Sequence, residues 1–436
     1  MSSRVPDIPG DLVPFEAVHA LRSTVAKMCG LSHPKFPGSQ PVSFTSNDLN
    51  KLESKNFWVA EKSDGIRVLF LVLPNPVANE QYVYLIDRHN DYRALSGFFF
   101  PHFEHPSMPL RESLIDGELV IDVDPRTKKE TLRFLAFDCL VVDSVNIMSK
   151  TLDKRYGRLK QQFHRPYEKM MQQFPGMGAD QPFQILVKEV ALSYNADQVF
   201  ANIPKLQHGN DGLIFTCAST AYVPATDENI LKWKPPSENS IDFKLVLRFP
   251  PDARDPSQPD FLAKPFFALH IWDGDDRERG VAKYSAYDEM VVGDEEWEKM
   301  KLDGEQIDDR IVEVHWDAER EGWRMMRFRD DKPAGNHRSV VDKIINSIAD
   351  GVEKDALLAR SPSIRAAWKA RAGQPNTAPA PAQAPSSSSH SQHRGPPPTS
   401  SHPPQPRPLT GTRYGSLGTS VLSKVAGPGV VCGMQR

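Results

Sequence analysis

The alternation of apolar and polar residues divides the chain into strand-like segments with a few helices between them. Short apolar runs of strand length occur at 57–60, 68–73, 82–87, 113–122, 131–143, 183–190 and 212–216. Apolar residues at helical spacing predict a helix over 14–30. Helices are also predicted over 152–174, which is rich in Lys, Arg, Gln and Met, and over 196–203. Strands broken by scattered helices, without strict alternation of the two, predict an α+β domain with a mainly antiparallel sheet.

A second strand-rich region follows the proline-rich turn at 235–239. Its apolar runs lie at 241–249, 266–272, 310–316 and 323–329, a region of about the size of a small β-barrel. Residues 339–352 show helical spacing, with Val340, Ile344, Ile345 and Ile348 on one face. We predict a first domain over 1–238, a barrel over 239–335, a C-terminal helix within 336–360 that packs back on the first domain, and a disordered tail over 361–436.

The composition of the tail differs from that of the rest of the chain. Pro, Ser, Ala, Gln and Gly dominate from about residue 373, including four serines at 386–389, and such a composition cannot bury a core. No acidic residue follows Asp355, whereas nine basic residues do, so the other 44 basic residues stand against all 56 acidic ones. A basic tail is typical of a segment that contacts RNA or an acidic partner, and also of a solvated extension.

The cysteines and the hydropathy of the chain indicate the kind of cellular compartment in which the protein works. Cys29, Cys139, Cys217 and Cys432 are widely spaced and form no CxxC pair. That pattern favours a reducing compartment and argues against a disulfide scaffold or a cysteine-based zinc site. No apolar run approaches the ~20 residues that span a bilayer. We therefore expect a soluble nuclear or cytoplasmic protein without a membrane partner.

The stretch Glu-Lys-Ser-Asp-Gly-Ile-Arg at 61–67 lies between two apolar runs, which places Lys62 beside a tight polar turn. A lysine amine can act as a covalent nucleophile when its neutral form is favoured. Lysine is ordinarily protonated at neutral pH, so close cations or a metal ion would have to favour that form. Taken alone, the stretch is equally compatible with a charged hairpin, since Asp-Gly is a common hairpin turn.

Five more polar clusters follow at strand ends or turns, where catalytic side chains are commonly displayed. They are LIDR at 85–88, DGELV at 116–120, FLAFD at 134–138, DGLIF at 211–215 and LKWKP at 231–235. Each alone also fits an ion pair, a hairpin carboxylate or a core aromatic residue. In LKWKP, however, Lys232 and Lys234 share one face of a strand, and two adjacent ammonium groups suit a phosphate between them. In DGLIF, Asp211 offers an oxygen ligand for Mg²⁺ beside phosphates.

In this order, the elements resemble the motifs of the covalent nucleotidyltransferase superfamily, which comprises mRNA capping enzymes and ATP-dependent polynucleotide ligases. Each motif alone is weak, but six in the family's order and approximate spacing are specific. The resemblance covers about residues 57–332 and includes a closing R-x-D-K sequence, matched by Arg329, Asp331 and Lys332. It implies a nucleotidyltransferase domain followed by an OB-fold barrel.

Within the superfamily, the closing R-x-D-K, LKWKP and DGELV are more similar to mRNA guanylyltransferases than to ligases. Only 61 residues precede Lys62, so we expect neither a DNA-encircling domain nor the phosphatase-type RNA triphosphatase of animal capping enzymes. The resemblance implies a nuclear, stand-alone fungal-type guanylyltransferase subunit with a separate RNA 5′-triphosphatase as partner. It also implies 5′-diphosphate RNA as acceptor and binding to the phosphorylated C-terminal tail of RNA polymerase II.

The resemblance further implies a role for each matched residue. Lys62 would attack the α-phosphate of GTP, release pyrophosphate and hold GMP, and Asp211 would support Mg²⁺ or Mn²⁺. The implied nucleotide contacts are Lys232 and Lys234 with the α-phosphate, Arg67 and Glu118 with the ribose, Arg88 with phosphate or sugar, Phe137 with the guanine ring, Lys188 with guanine O6, and Arg329, Asp331 and Lys332 with the β- and γ-phosphates. Closure of the barrel about the hinge near Pro235 would bring the last three residues to the nucleotide.

Two other functions stay open. A polynucleotide ligase would form its protein adduct with ATP, whereas a non-catalytic scaffold that binds RNA or polymerase would form no adduct. The scaffold is disfavoured because every catalytic side chain that the resemblance requires is present in the sequence.

Overall fold

The computed structural model describes residues 5–75, 77, 80–275, 281–317 and 319–372. The described chain forms two compact units. The first contains the residues up to Lys234 together with those from Lys354 onward, and the second contains Pro235–Glu353. The division after Lys234 lies four residues before the predicted boundary at 238.

The strands and helices are numbered in chain order. The strands of the first unit are β1 (Asp11–Leu12), β2 (Ser39–Ser43), β3 (Phe57–Ser63), β4 (Ile66–Pro74), β5 (Gln81–Ile86), β6 (Tyr92–Leu95), β7 (Ser113–Val123), β8 (Glu130–Val142), β9 (Val145–Asn146), β10 (Gln184–Val187), β11 (Ala191–Leu192), β12 (Asn210–Cys217) and β13 (Ala225–Trp233). Its helices are α1 (Phe15–Cys29), α2 (Asp48–Ser54), α3 (Leu152–Arg158), α4 (Arg165–Gln173), α5 (Ala196–Asn202), α8 (Lys354–Ala359) and α9 (Ser361–Ala372). The second unit contains β14 (Ser240–Arg248), β15 (Phe266–Asp275), β16 (Ala282–Glu289), β17 (Ile311–Asp317) and β18 (Gly322–Phe328), with α6 (Asp294–Asp303) and α7 (Arg338–Ala349).

The first unit is built on two sheets. The larger has the order β1-β6-β5-β4-β7-β8-β10, with β9 paired to β8, and the smaller has the order β11-β3-β12-β13-β2. Among the described residues of this unit, only the β8–β10 and β13–β2 pairs are parallel. The predicted α+β class with mainly antiparallel sheets is therefore confirmed.

Strand β4 shows why its sequence is apolar at nearly every position. Val68, Phe70 and Val72 face one core, where Phe70 contacts other aromatic rings. Leu69 and Leu71 face a second core that includes residues of α1. Because successive strand residues point to opposite faces, a sheet buried on both sides needs apolar residues without alternation.

The helix predicted over 152–174 is present, with a π-helical stretch, Leu159–His164, between α3 and α4. Leu159 and Phe163 of this stretch are buried in the core of the larger sheet. In the part of the chain that the structure describes, no helix is both long and apolar enough to cross a bilayer. The described cysteines, Cys29, Cys139 and Cys217, are buried free thiols.

The second unit is an antiparallel sheet of five strands in the order β16-β15-β14-β17-β18. A parallel bridge between Met290 and Trp323 joins the chain just after β16 to β18, so the two outer strands meet. Helix α6 lies in the chain between β16 and β17. This strand order with a closing bridge is compatible with the predicted OB-fold barrel.

The predicted position of the C-terminal helix is wrong for most of its length. Val341 and Ile345 of α7 are buried in the core of the second unit, because the apolar face of this helix covers the sheet. The segments that belong to the first unit are α8 and α9, further along the chain.

The predicted start of the disordered tail at 361 is also wrong, because α9 is an ordered helix. Ile364 is fully buried, the ring of Trp368 meets Tyr194 edge-on, and Arg371 Nε donates a hydrogen bond of 2.8 Å to Asn56 Oδ1. The rest of the predicted tail, 373–436, lies outside the described residues.

Candidate active site

The Lys62 motif connects the two sheets of the first unit. β3 pairs with β11 and β12 in the smaller sheet, whereas β4 pairs with β5 and β7 in the larger sheet. Asp64 and Gly65 lie between them, so the alternative of a charged hairpin is wrong. A Cβ atom on Gly65 would lie 2.2 Å from the carbonyl oxygen of Leu119, which explains why this turn requires glycine.

Asp211 binds the predicted nucleophile, Lys62, and one of the predicted nucleotide-binding lysines, Lys234. Its Oδ1 lies 2.6 Å from Lys62 Nζ, and its Oδ2 lies 2.5 Å from Lys234 Nζ. The side chains of Lys62, Asp211 and Lys234 are 25%, 26% and 38% exposed. Ion pairs with this exposure are weak, so an incoming anion can take the place of the carboxylate.

Lys232 completes this group from the neighbouring strand. β12 and β13 are adjacent, with Ile214 opposite Lys232. Burial lowers the pKa of Lys232, and the positive charges of Lys62 and Lys234 lower it further. The three lysines therefore interact electrostatically, as a site for a phosphate group requires. We call Lys62, Asp211, Lys232 and Lys234 the lysine cluster.

A bulge in β12 orients Asp211. The register against β3 shifts here, and Gly212 has a φ of +138°. A Cβ atom on Gly212 would lie 2.0 Å from the carbonyl oxygen of Trp233, so only glycine fits. Asn210 Nδ2 donates hydrogen bonds to the carbonyl oxygens of Lys62 and Gly212, at 3.0 and 2.9 Å.

The guanidinium group of Arg67 is held by residues that received no role in the sequence-based prediction. Its Nε and Nη2 donate hydrogen bonds to the two carboxylate oxygens of Asp116, at 2.9 and 2.5 Å. Nη2 also donates to the Tyr222 hydroxyl at 3.2 Å, and Nη1 donates to the carbonyl oxygen of Ser39. Burial alone would lower the pKa of Arg67, but the charge of the buried Asp116 raises it. The guanidinium is therefore permanently charged and held in one orientation.

Phe137 and Glu118 lie beside Arg67. Phe137 is the extra residue at a bulge between β7 and β8, and the Arg67 guanidinium lies 5.6 Å from its ring centroid. Glu118 is paired with Arg67 in the register of β4 and β7. Burial raises the pKa of Glu118, while the charges of Lys188, Lys62 and Arg67 act against the rise. Glu118 thus lies within electrostatic range of three predicted site cations.

Lys188 is buried in an ion-pair network. Its Nζ donates to Glu61 Oε1 at 2.7 Å and to the hydroxyl of Ser63, which itself donates to Glu61 Oε1 at 2.8 Å. His208 Nε2 lies 3.4 Å from the same oxygen, and its Nδ1 lies 2.6 Å from Asp122. We call these five residues the Glu61 network.

The Glu61 network has perturbed acid–base properties. Although burial alone would raise the pKa of Glu61, the hydrogen bond from His208 and the charge of Lys188 lower it to about 2. Burial alone would lower the pKa of His208, but its hydrogen bonds with Asp122 and Glu61 raise it. Glu61, Lys188 and His208 line a cavity of about 950 Å³, so a small molecule can reach the network.

Arg88 lies apart from these contacts. It occupies an exposed turn after β5 in which Asp87 Oδ1 accepts the backbone N–H groups of His89 and Asp91, at 2.8 and 3.0 Å. The side chain of Arg88 makes none of the hydrogen bonds or ion pairs found within the described residues.

Two of the three predicted residues of the second unit, Arg329 and Lys332, meet at Asp242 of β14, and the third, Asp331, binds Arg329. Arg329 Nη1 lies 3.3 Å from Asp242 Oδ1, and Lys332 Nζ pairs with Asp242 Oδ2. Arg329 also binds both carboxylate oxygens of Asp331, at 2.8 and 2.7 Å. The hydrogen bonds from Arg329 lower the pKa of Asp331 to about 2. These residues thus form a charged cluster on the second unit.

The candidate metal ligand, Asp211, suits an ion that binds together with the phosphates of a substrate. Within the described residues, no group of three or more His, Cys, Asp or Glu side chains is placed to hold a metal ion. Asp211 offers a single, partly exposed carboxylate. Mg²⁺ is commonly held by one or two carboxylates together with substrate phosphates. Asp211 therefore fits such an ion, which would neutralise phosphate charge when bound.

Sequence reasoning missed the residues that hold the predicted side chains in place. Asp116 and Glu61 lie inside the motifs but received no role. Each is an acidic residue within two positions of a predicted site residue, Glu118 and Lys62, and this proximity is the signal that could have identified them. Tyr222 and His208 gave no local signal, because they contact residues 106 and 147 positions away in the chain.

Comparison with protein families gives two matches that together cover most of the chain. The family described as "mRNA capping enzyme, catalytic domain" matches residues 4–236. The family described as "mRNA capping enzyme, C-terminal domain" matches residues 238–358. The two matches divide the chain close to the boundary between the two structural units.

Relatives named "mRNA-capping enzyme subunit alpha" are similar over most of the chain. The protein of Schizosaccharomyces pombe is 42% identical over 83% of this chain and 88% of its own. The proteins of Candida glabrata and Saccharomyces cerevisiae are 39% and 37% identical, each over 85% of this chain and over 91% and 89% of their own. A solved mycobacterial DNA ligase D complexed with ATP and MES is 15% identical over 68% of this chain and 95% of its own, at a TM-score of 0.33, too low to support an argument.

Proposed function

The chain belongs to the mRNA capping enzyme family, as an mRNA guanylyltransferase, and we propose that Lys62 is the residue on which it carries GMP. In the proposed first step, Lys62 Nζ attacks the α-phosphorus of GTP, an N–P bond forms and pyrophosphate leaves. In the second, the terminal phosphate oxygen of a 5′-diphosphate RNA attacks the same phosphorus. The N–P bond then breaks, Lys62 is regenerated and the RNA carries a GpppN cap.

The observation that carries this proposal is the convergence of Lys62, Lys232 and Lys234 around Asp211. Phosphoryl transfer needs positioning and charge neutralisation more than proton transfer. Lys232 and Lys234 supply the positive charge for the α-phosphate. Asp211 is paired with Lys62 and Lys234, so it would be freed once Lys62 bonds to the phosphorus and Lys234 pairs with the phosphate. Its carboxylate would then hold a divalent cation, Mg²⁺ or Mn²⁺, which would neutralise phosphate charge.

The remaining residues of the first unit are assigned to the nucleoside. Arg67, held by Asp116, and Glu118 bind the ribose, and Phe137 stacks on guanine. Lys188 donates a hydrogen bond to guanine O6, which favours GTP over ATP because adenine carries an amino group there. These assignments rest on the family resemblance together with the contacts that orient the side chains.

The other assignments concern the phosphates. Arg88 binds phosphate or sugar, and its exposed turn leaves the guanidinium accessible. Arg329, Asp331 and Lys332 are assigned to the β- and γ-phosphates. A carboxylate already orients the two cations of this set, which supports a role in anion recognition.

The relatives are named as alpha subunits, which implies a partner subunit. We propose that the partner is an RNA 5′-triphosphatase, because it would generate the diphosphate end that the second step consumes. We further propose that the protein works in the nucleus and binds the phosphorylated tail of RNA polymerase II.

Covalent labelling tests the proposal. The protein is incubated with α-labelled GTP or ATP and Mg²⁺ or Mn²⁺, then denatured and examined for attached label. We expect label from GTP that is absent in Lys62→Ala. Label from ATP alone would instead indicate a ligase, and absence of label from both would indicate a non-catalytic scaffold.

A further inference from the structure

Glu61 precedes the proposed nucleophile in the chain, yet its side chain takes no part in the lysine cluster. Successive residues of a strand point to opposite faces, so β3 directs Glu61 and Lys62 to different sides. Glu61 meets Lys188, Ser63 and His208, and its side chain is only 11% exposed. Lys188 is 8% exposed, so both partners are largely buried at the wall of the cavity.

These contacts fix the direction of the Lys188 ammonium group. A lysine ammonium has three N–H donors and no acceptor. One N–H is directed to Glu61 Oε1 and a second to Ser63 Oγ. The Ser63 hydroxyl donates its own proton to Glu61, so its oxygen accepts from Lys188 and the three side chains form a closed triangle. One donor of Lys188 is left for a ligand, and its direction is set by the other two.

The Glu61 carboxylate has a further partner, His208, which is itself held in place by other side chains. His208 bridges Glu61 and Asp122, and Asp122 Oδ2 lies 2.9 Å from Arg133 Nε. A carboxylate held by this many partners loses little further freedom when it orients an ammonium group. Flexible, exposed ion pairs lack this advantage.

We propose that Glu61 is a positioning residue for base selection: it holds the Lys188 ammonium so that one N–H faces the six-position oxygen of a purine. This inference rests on the proposed function, in which Lys188 recognises guanine. A protonated lysine can only donate, so it pairs with a carbonyl oxygen and opposes an amino group. A buried donor left without its acceptor strongly disfavours the wrong base.

The test compares Glu61→Gln with the unaltered protein on two substrates. One is GTP, and the other is 2-aminopurine ribonucleoside triphosphate, which has no oxygen at the six position. Rates of adduct formation are measured over a range of nucleotide concentrations. For GTP, we expect KM to rise about tenfold or more, the usual effect of losing a hydrogen bond that involves a charged group, with the saturated rate nearly unchanged. For 2-aminopurine ribonucleoside triphosphate, we expect KM to change little.

Three further variants sharpen the result. Glu61→Asp keeps the charge on a shorter side chain, so it should show the same substrate dependence to a smaller degree. In a Lys188→Met background, Glu61→Gln should add no further rise in the KM for GTP, because the residue to be positioned is absent. Glu53→Gln is the matched control, since it removes a carboxylate that pairs with Arg360 at 3.0 Å in the same unit, and both KM values should stay unchanged.

An equal rise in KM for both nucleotides would overturn the proposal, as would a lower saturated rate without a change in KM. Absence of any effect would overturn it as well. Failure of the proposed function looks different: the unaltered protein would then form no adduct with GTP, or Lys62→Ala would still form one. If labelling depends on GTP and Lys62 while Glu61→Gln behaves as the unaltered protein, only the role of Glu61 fails.

Discussion

The lysine cluster and the Glu61 network both consist of a carboxylate that binds lysine, and β3 contributes to both. They differ in exposure. Lys62, Asp211 and Lys234 are between 25% and 38% exposed, whereas Lys188, Glu61 and His208 are between 8% and 11% exposed. A partly exposed pair can exchange partners at low cost, but a buried charge cannot lose its partner. The lysine cluster therefore suits a reaction in which phosphates bind and leave. The Glu61 network suits recognition of a base, for which the positions of the donors must stay constant.

The largest effect is expected from Lys62 itself. Lys62→Ala should reduce adduct formation by roughly 1,000-fold or more, as removal of a nucleophile usually does. Lys62→Arg should be equally inactive, because a guanidinium keeps the positive charge but stays protonated. The amount of label bound per protein molecule measures both effects. Substantial labelling of Lys62→Arg would show that the charge at this position, and not a neutral amine, is what the reaction requires.

The two carboxylates should differ in their contribution to stability. Glu61→Ala leaves the buried Lys188 without its counter-charge, so the free energy of unfolding should fall by about 3 kcal/mol. Asp211→Ala removes a partly exposed pair and should change it by less than about 1 kcal/mol. Urea unfolding of both variants measures this difference. Similar losses in the two variants would contradict the contrast between fixed and exchangeable pairs.

Substitution of Lys234 should affect binding without affecting base selection. Lys234→Ala removes one charged contact to the α-phosphate, so the KM for GTP should rise about tenfold. The KM for 2-aminopurine ribonucleoside triphosphate should rise by the same factor, because both nucleotides have identical phosphates. Adduct formation over a range of concentrations provides both values. A larger change for GTP alone would mean that the lysine cluster also senses the base.

The smallest effect is a pH dependence of stability. The folded protein raises the pKa of His208 through Asp122 and Glu61, so protonation of His208 favours folding. That contribution is complete below the pKa of an unfolded histidine, near 6.5, and is lost as pH rises through the higher value of the folded state. Urea unfolding in steps from pH 6 to 9 should show this loss in the unaltered protein and not in His208→Gln. Identical profiles for the two proteins would mean that His208 does not titrate between its carboxylates.

The sequence predicted those strands and site residues that depend on local patterns of residues. Apolar runs located β3, β4 and β7. The short motifs singled out the four members of the lysine cluster, which the structure brings together. The spacing of Lys232 and Lys234 placed both charges at one strand end, because the side-chain period of a strand is two.

The missed features depend on contacts distant in the chain. Tyr222 reaches Asp116 across 106 positions, and Lys188 reaches Glu61 across 127. No local periodicity encodes such pairs. The same limit explains the wrong position of the C-terminal helix. The apolar face of α7 predicts a packed helix but not which core it covers, and Val341 and Ile345 turned out to lie in the core of the second unit.

Mapping the attachment site of GMP tests the central claim most directly. The protein is labelled with GTP, digested under conditions that preserve phosphoramidates, and sequenced by tandem mass spectrometry. We predict GMP on Lys62, with no modification of Lys188, Lys232 or Lys234. GMP attached to any of these other lysines, or to a different residue type, would contradict the assignment of Lys62 as the nucleophile.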